Sequence, residues 1–285
     1  MSFMGKEIFM LDGATGTELQ KLGMPAGACS EKWVLDNPES IVEVQRAYVE
    51  AGSDMVYAPT FGANRTNLEK HGIDPGLVRE YCQRLVELSR KATAGTQVLV
   101  AGDMAPCGMM PEPYGDDSLE DIRAVFEEQA RALEEAGVDL FGVETQVSML
   151  ECREAAKAVL SVTEKPVIVT FTCGPGGRTL WGDDLSEVMQ ELTDLGISAF
   201  GINCVGDLDM LSGIIAQLKK TARVPLVAKP NAGHPEYRDG KTVYNMTPET
   251  LAAAASTLRR SGCEIFGGCC GTTPQHIAAL KSALS

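Results

Sequence analysis

Three of the nine cysteines stand where thiol chemistry can be organised: Cys204 in Gly201-Ile-Asn-Cys204, and the adjacent pair in Gly267-Gly-Cys269-Cys270-Gly271-Thr-Thr-Pro274. Each motif follows a short apolar run. If those runs are parallel strands whose ends converge, three thiols from distant sequence meet and a metal can hold them. Adjacent cysteines aim at one centre only through a sharp bend, and the flanking glycines supply conformations that other residues resist. An isolated cysteine is most often a small buried hydrophobe; three at strand ends, two of them between glycines, fit that description poorly. Three thiolates suit Zn²⁺ best, and three protein ligands in place of four leave a position open, the pattern of a catalytic site. A net negative ligand set makes hydroxide poorly, yet it takes up an incoming thiol, strips its proton and leaves the sulfur nucleophilic. A free thiol with a pKa of ~8.5 is mostly protonated at neutral pH, so the metal supplies the reactive form. The ligand set points to thiol alkylation.

The elements that must position these residues are legible as eight apolar or β-branched runs: Ile8–Leu11, Met55–Ala58, Val98–Ala101, Leu140–Val143, Val167–Phe171, Ala199–Ile202, Leu226–Ala228 and Glu264–Phe266. Each suits a buried parallel strand. Amphipathic stretches of helical length lie between them, such as Pro38–Ala51, Ser118–Ala136, Val147–Leu160, Leu185–Leu195, Leu208–Lys220 and Pro248–Arg260. Asn37-Pro38 and Thr247-Pro248 read as an N-cap followed by proline at the first helical position. A weak recurrence, Ala51-Gly-Ser-Asp-Met, Ala136-Gly-Val-Asp-Leu, Leu195-Gly-Ile-Ser-Ala and Ser261-Gly-Cys-Glu-Ile, ends a helix with glycine and enters a strand. Three of the units continue as Phe141-Gly142, Phe200-Gly201 and Phe266-Gly267. Eight such units predict a single-domain (β/α)8 TIM barrel over residues 1–285. An open doubly wound sheet is the runner-up, but Asp12-Gly-Ala-Thr-Gly-Thr17 is not the phosphate-binding glycine turn that sheet needs.

Polar residues follow the runs in turn: Asp12, Thr60, Asp103, Glu144, Thr172-Cys173, Asn203-Cys204, Lys229 with Asn231, and Cys269-Cys270. In a barrel these ends share one mouth, where barrel enzymes place their active sites. For Asp103 or Thr60 taken singly, the bland reading, that loops are polar, carries equal weight.

The formal net charge of -14 opposes nucleic acid and anionic membrane surfaces, and no basic run offsets it. Hydrophobic residues at 44% and 29 glycines describe an ordinary globular α/β protein. The apolar stretch Ile8–Leu11 is too short for a signal-peptide core or a membrane span, so a cytoplasmic location is expected. Nine cysteines form an odd set without disulfide-framework spacing, which suits a reducing compartment.

The motifs resemble the homocysteine S-methyltransferase family across nearly the whole chain. They are Leu11-Asp-Gly-Ala-Thr-Gly-Thr-Glu18, Thr60-Phe-Gly-Ala-Asn-Arg65, Leu68-Glu-Lys-His-Gly72, Glu144-Thr145, Gly201-Ile-Asn-Cys204, Lys229-Pro-Asn-Ala-Gly233 and the Cys269-Cys270 motif. The two cysteine motifs are the specific ones. The resemblance implies a (β/α)8 barrel, zinc on Cys204, Cys269 and Cys270, and homocysteine contacts from Asp12, Gly13, Ala14, Glu144 and Asn231. A carboxylate at Glu144 suits a desolvated substrate ammonium. Methionine would form by attack of a zinc-bound homocysteine thiolate on a methyl donor. Thr60-Phe-Gly-Ala-Asn-Arg65, and Asn231-Ala-Gly233 through Gly240-Lys-Thr-Val-Tyr244, look most like the homocysteine module of cobalamin-dependent methionine synthase. A chain ending at Ser285 has no room for a corrinoid module, so methylcobalamin is expected on a separate protein, ranked above S-methylmethionine and betaine. Two residues depart from the module's pattern: Pro59 stands where asparagine is usual, and Cys173 where an acidic residue is expected. Cys173 is weighed as a fourth thiolate, while Cys29, Cys82, Cys107, Cys152 and Cys263 read as packing or surface residues. Competing readings are a different small thiol as acceptor and a non-catalytic subunit that docks a corrinoid protein.

Overall fold

The computed structural model describes residues 1–238 and 241–285. All eight apolar runs are strands: β1 (Phe9–Met10), β2 (Met55–Tyr57), β3 (Leu99–Met104), β4 (Leu140–Gln146), β5 (Val167–Phe171), β6 (Ala199–Asn203), β7 (Leu226–Lys229) and, after a hairpin of β8 (Glu236–Arg238) and β9 (Lys241–Val243), β10 (Cys263–Phe266). The eight-stranded sheet is parallel and runs β1-β10-β7-β6-β5-β4-β3-β2, so β1 returns beside β10. The helices α1 (Gly16–Lys21), α2 (Ser30–Asp36), α3 (Pro38–Glu50), α4 (Arg65–Lys70), α5 (Val78–Thr93), α6 (Leu119–Glu135), α7 (Met149–Val162), α8 (Leu185–Leu195), α9 (Leu208–Lys219), α10 (Pro248–Ser261) and α11 (Pro274–Leu284) lie between and after the strands. The fold is the expected (β/α)8 TIM barrel. Among the described residues no helix is long and apolar enough to cross a membrane.

Side-chain alternation along the strands splits the core in two. Inward residues such as Phe9, Met55, Tyr57, Leu140, Ile168 and Val227 fill the barrel, with Phe3 edge-on to Phe9 at 5.1 Å. Outward residues, Val56, Phe141, Phe200 and Phe266 among them, pack under the helices. The seam between β1 and β2 closes differently. Asp54 N–H donates to Met10 O at 2.7 Å, and two carboxylates stand in for ladder acceptors. Asp54 Oδ2 accepts from Met10 N–H at 2.8 Å, and Asp12 Oδ2 accepts from Tyr57 N–H at 2.9 Å.

The recurrent glycines mark helix exits: Gly52, Gly137, Gly196 and Gly262 all have positive φ, and the last two are left-handed C-caps of α8 and α10. The cap at Thr247 holds, its hydroxyl accepting from Thr250 N–H. Asn37 departs from expectation. It occupies the N-cap position of α3, but it also ends α2, and its side-chain amide donates back to Trp33 O at 2.9 Å. Four strands run further than their apolar runs, because backbone pairing continues through polar residues: Asp103 pairs with Gly142 and Asn203 with Lys229. The hairpin β8–β9 carries no apolar alternation, and Asp239 and Gly240 of the motif noted above lie outside the described residues.

Two glycines separate close packing from backbone entropy. A methyl group on Gly201 in β6 would collide with the Val227 carbonyl of β7, whereas one on Gly213 in α9 meets nothing within 4 Å. Gly201→Ala is expected to lower stability by about 1–3 kcal/mol, and Gly213→Ala to raise it by roughly 0.5–1 kcal/mol. Urea unfolding of both variants checks the pair.

Candidate active site at the barrel mouth

The structure brings the three cysteines together. Cys204 Sγ stands 2.9 Å from Cys269 Sγ and 3.8 Å from Cys270 Sγ, and all three sulfurs lie within 4.8 Å of one another. None is disulfide-bonded. Cys204 reaches this point from a left-handed backbone, φ 57°. On the other side Gly271 has φ 80°, and a side chain there would strike the Tyr244 ring. Gly267 and Gly268 serve by lack of bulk and not by unusual φ: a Cβ on the first would lie 2.8 Å from Leu11 Cβ, and one on the second would meet Thr272. The electrostatics show a site short of positive charge. Hydrogen bonds from Cys204 and Cys269 pull Cys270 down to about 3, while donating them pushes Cys204 far above its usual range. The three-sulfur donor set fits a soft divalent ion.

Beside the sulfurs lies a second buried cluster. Lys229 is ion-paired with Glu144, and its Nζ lies 3.9 Å from the centre of the Tyr57 ring. Asp12 and Asp103 are buried nearby. Burial raises Asp12 to about 7 against the pull of Lys229 and the Tyr57 N–H. Burial also holds Asp103 well above its usual range, with the charge of Glu144 adding to it. Glu144 is raised by burial, and Lys229 opposes this. One carboxylate oxygen on each of Asp12 and Asp103, and the side-chain oxygens of Asn203 and Asn231, are buried without a partner among the described residues. Together they make a buried polar cluster with unmet acceptors beside the thiol cluster.

A family model described as homocysteine S-methyltransferase matches residues 9–284. The chain belongs to that family. It is 31% identical over 298 residues to the homocysteine S-methyltransferase of Escherichia coli strain K12, covering 97% of this chain and 95% of that protein. It is 29% identical over 299 residues to the methionine synthase of Mycobacterium leprae, covering 99% of this chain but 25% of that protein, so the chain spans a quarter of that relative. The barrel is similar to the crystal structure of the E. coli homocysteine methyltransferase MmuM in its metallated form, with TM-score 0.83 at 30% identity over 98% of this chain and 96% of that one.

Within this homocysteine S-methyltransferase barrel, the residues singled out in the sequence fall as follows. Asp12 spends one carboxylate oxygen on the seam, and its carbonyl accepts from Gly268 N–H at 2.9 Å, tying β1 to the cysteine loop. Ala14 N–H donates to Thr272 Oγ1 at 3.1 Å, and Tyr48 OH bridges Ala14 O and Thr272 O at 2.9 and 3.1 Å. Gly13 has no room for a side chain, since a Cβ would lie 2.7 Å from the Tyr48 hydroxyl. Its N–H has no partner among the described residues. Asn231 is buried, its N–H donating to Val205 O at 2.9 Å. Glu144 is aimed by a β-bulge: the β4–β5 register shifts between Val143 and Gln146, with Thr145 at φ 57°. Cys173 packs against the outer core and stands outside the sulfur cluster, with burial raising it to about 11. Pro59 is buried in a tight turn, Thr60 N–H donating to Ala58 O at 2.7 Å, which suits its fixed φ. Cys29, Cys82, Cys107, Cys152 and Cys263 are buried, packing residues as expected.

Four residues of the site went unassigned in the sequence. Tyr57 is hidden inside an apolar run. Tyr244, beyond the hairpin, lays its ring against Gly271, and its hydroxyl helps to hold the Cys270 thiol down. Asn203 donates to Thr145 Oγ1 at 2.7 Å and points toward Cys269 Sγ at 3.8 Å. Lys229 carried a signal, a lysine closing an aliphatic strand, but nothing in the sequence named its partner.

Asp12 binds its proton up to about pH 7 in the folded state, against an ordinary 3.8. Between those values the folded state holds more protons than the unfolded one, so stability falls as pH rises through that window. Asp103 and Glu144 are raised too and tilt the curve the same way. Asp12→Asn, which keeps an acceptor for Tyr57 N–H, is expected to flatten the decline without abolishing it. Urea unfolding of the metal-free protein at a series of pH values measures the slope.

Proposed function

We propose that the chain is a zinc-dependent homocysteine S-methyltransferase that forms methionine with a methylated corrinoid protein as donor, residues 1–285 making one homocysteine-binding domain. The observation that carries this reading is the meeting of Cys204, Cys269 and Cys270 beside a buried carboxylate pocket. The three sulfurs would hold zinc, which when bound there lowers the pKa of a substrate thiol and leaves its sulfur nucleophilic. Glu144 accepts the α-ammonium, and the Asp12-Gly13-Ala14 backbone with Asn231 binds the rest of the amino acid group. Tyr48 and Thr272 keep that backbone seated against the cysteine loop. The bulge at Thr145 fixes the direction of Glu144, so the thiol end of the substrate is delivered to the sulfurs.

The donor reading is supported by the motif likeness to methionine synthase and by the rim. Met110 and Tyr114, in the loop after β3, are 48% and 52% exposed, and Leu180, in the loop after β5, is 82% exposed. Tyr114 stacks on Trp181 at 4.2 Å, joining the two loops. Such a surface suits a protein partner. The end-to-end match with the E. coli homocysteine S-methyltransferase favours a second reading, a small donor such as S-methylmethionine or betaine.

The protein is expected to bind one zinc per chain, and Cys204→Ser, Cys269→Ser and Cys270→Ser each to lose it; full retention in any variant removes that residue from the ligand set. In donor assays with homocysteine, methylcobalamin is expected to turn over slowly and a corrinoid protein to accelerate it. Much faster methionine formation with S-methylmethionine or betaine overturns the ranking.

A further inference from the structure

Lys229 is the only cation among the described residues that acts strongly on Asp12, Asp103 and Glu144. It ends β7 and is 2% exposed. Its carbonyl accepts from Cys204 N–H at 3.2 Å, and Gly267 leaves room for its stem, a Cβ there coming within 3.3 Å of Lys229 Cγ. A buried ion pair is weak evidence for stability, because desolvating both charges offsets most of their attraction. This one has a different use. Its ammonium engages Glu144 Oε1, while Oε2 has no partner among the described residues. We propose that Lys229 is the positioning residue of the amino-acid pocket: it holds Glu144 as a carboxylate, one oxygen gripped and the other free, so that the barrel selects thiols bearing an α-ammonium. The inference rests on the homocysteine reading above and deepens it.

The groups around Glu144 give the argument its sign. Asp12 after β1, Tyr57 from β2, Asp103 from β3 and Cys269 after β10 are acidic or neutral, and Lys229 alone favours an ionised Glu144. Without it, burial leaves a neutral carboxyl, which cannot form an ion pair with an incoming ammonium. The Tyr57 ring gives Lys229 a second source of stabilisation, so its charge does not depend on Glu144 alone.

The test measures binding to the metal-free protein by calorimetry, comparing methionine with 4-(methylthio)butanoate, the same chain without its ammonium. The wild type is expected to prefer methionine. Lys229→Met and Glu144→Gln should each reduce that preference by about tenfold to a hundredfold, the worth of a charged hydrogen bond. The double variant should lose no more than either single one, since both changes remove one interaction. In Lys229→Met the preference should return as pH rises and Glu144 ionises, whereas a merely structural loss would not depend on pH. Full preference in Lys229→Met, or additive losses in the double variant, overturns the proposal. If Lys229→Met does not fold, Glu144→Gln is compared with the double variant, which buries no unpaired charge. Equal preferences support the inference, and a further drop in the double variant defeats it. The binding assay needs neither donor nor metal, so absent methyl transfer counts against the proposed function alone. Homocysteine turnover with an unchanged preference in Lys229→Met counts against Lys229 alone.

Discussion

Three thiols and three carboxylates converge at the barrel mouth on a space that contains one lysine, and this imbalance of charge organises the molecule around it. At an effective dielectric of about 20, two unit charges about 4 Å apart repel by about 4 kcal/mol. Three unshielded thiolates would then offset most of the ~5–15 kcal/mol that stabilises an ordinary domain. The protein alone relieves this with protons: hydrogen bonding within the sulfur cluster pushes Cys204 up, and burial pushes Asp103 up. A divalent ion among the sulfurs, or an ammonium beside the carboxylates, would relieve it better.

Holding six acidic groups together needs a rigid frame, and the frame is built from contacts that leave no slack. The cysteine loop is tied to β1 by Gly268 N–H on Asp12 O and by the Thr272 and Tyr48 bridges to Ala14. Its glycines admit Leu11, Thr272 and Tyr244 where side chains would not fit. Asp12 belongs to both systems at once. One of its oxygens closes the seam at Tyr57 N–H, the other is an unpartnered atom in the pocket, so barrel closure and site charge share a residue.

Most of the architecture was legible because parallel strands buried on both faces must be aliphatic, and eight such runs separated by amphipathic stretches leave few alternatives. The sulfur cluster was legible for a related reason: cysteines at strand ends between glycines have a geometric meaning that isolated cysteines lack. What stayed hidden depends on contacts across the chain. The bulge at Thr145 follows from β4 pairing with β5 and leaves no mark in Glu144-Thr145. The Lys229–Glu144 pair joins positions 85 residues apart. Asn37 reads as a cap until α2 is seen to end on it. The hairpin after Lys229 escaped notice because its strands are short and polar, and exposure, not alternation, governs them.

The residues of the proposed acceptor site stand at strand ends, short and fixed, and the proposed donor side is left to the rim. This chain matches nearly all of a homocysteine S-methyltransferase and a quarter of a methionine synthase, so the barrel is the part those proteins share. Whatever brings the methyl group must place it about 3–3.5 Å from the acceptor sulfur. On the proposed reading the loops after β3 and β5, where Tyr114 and Leu180 leave apolar surface open, are where donor preference can change without disturbing the thiol site.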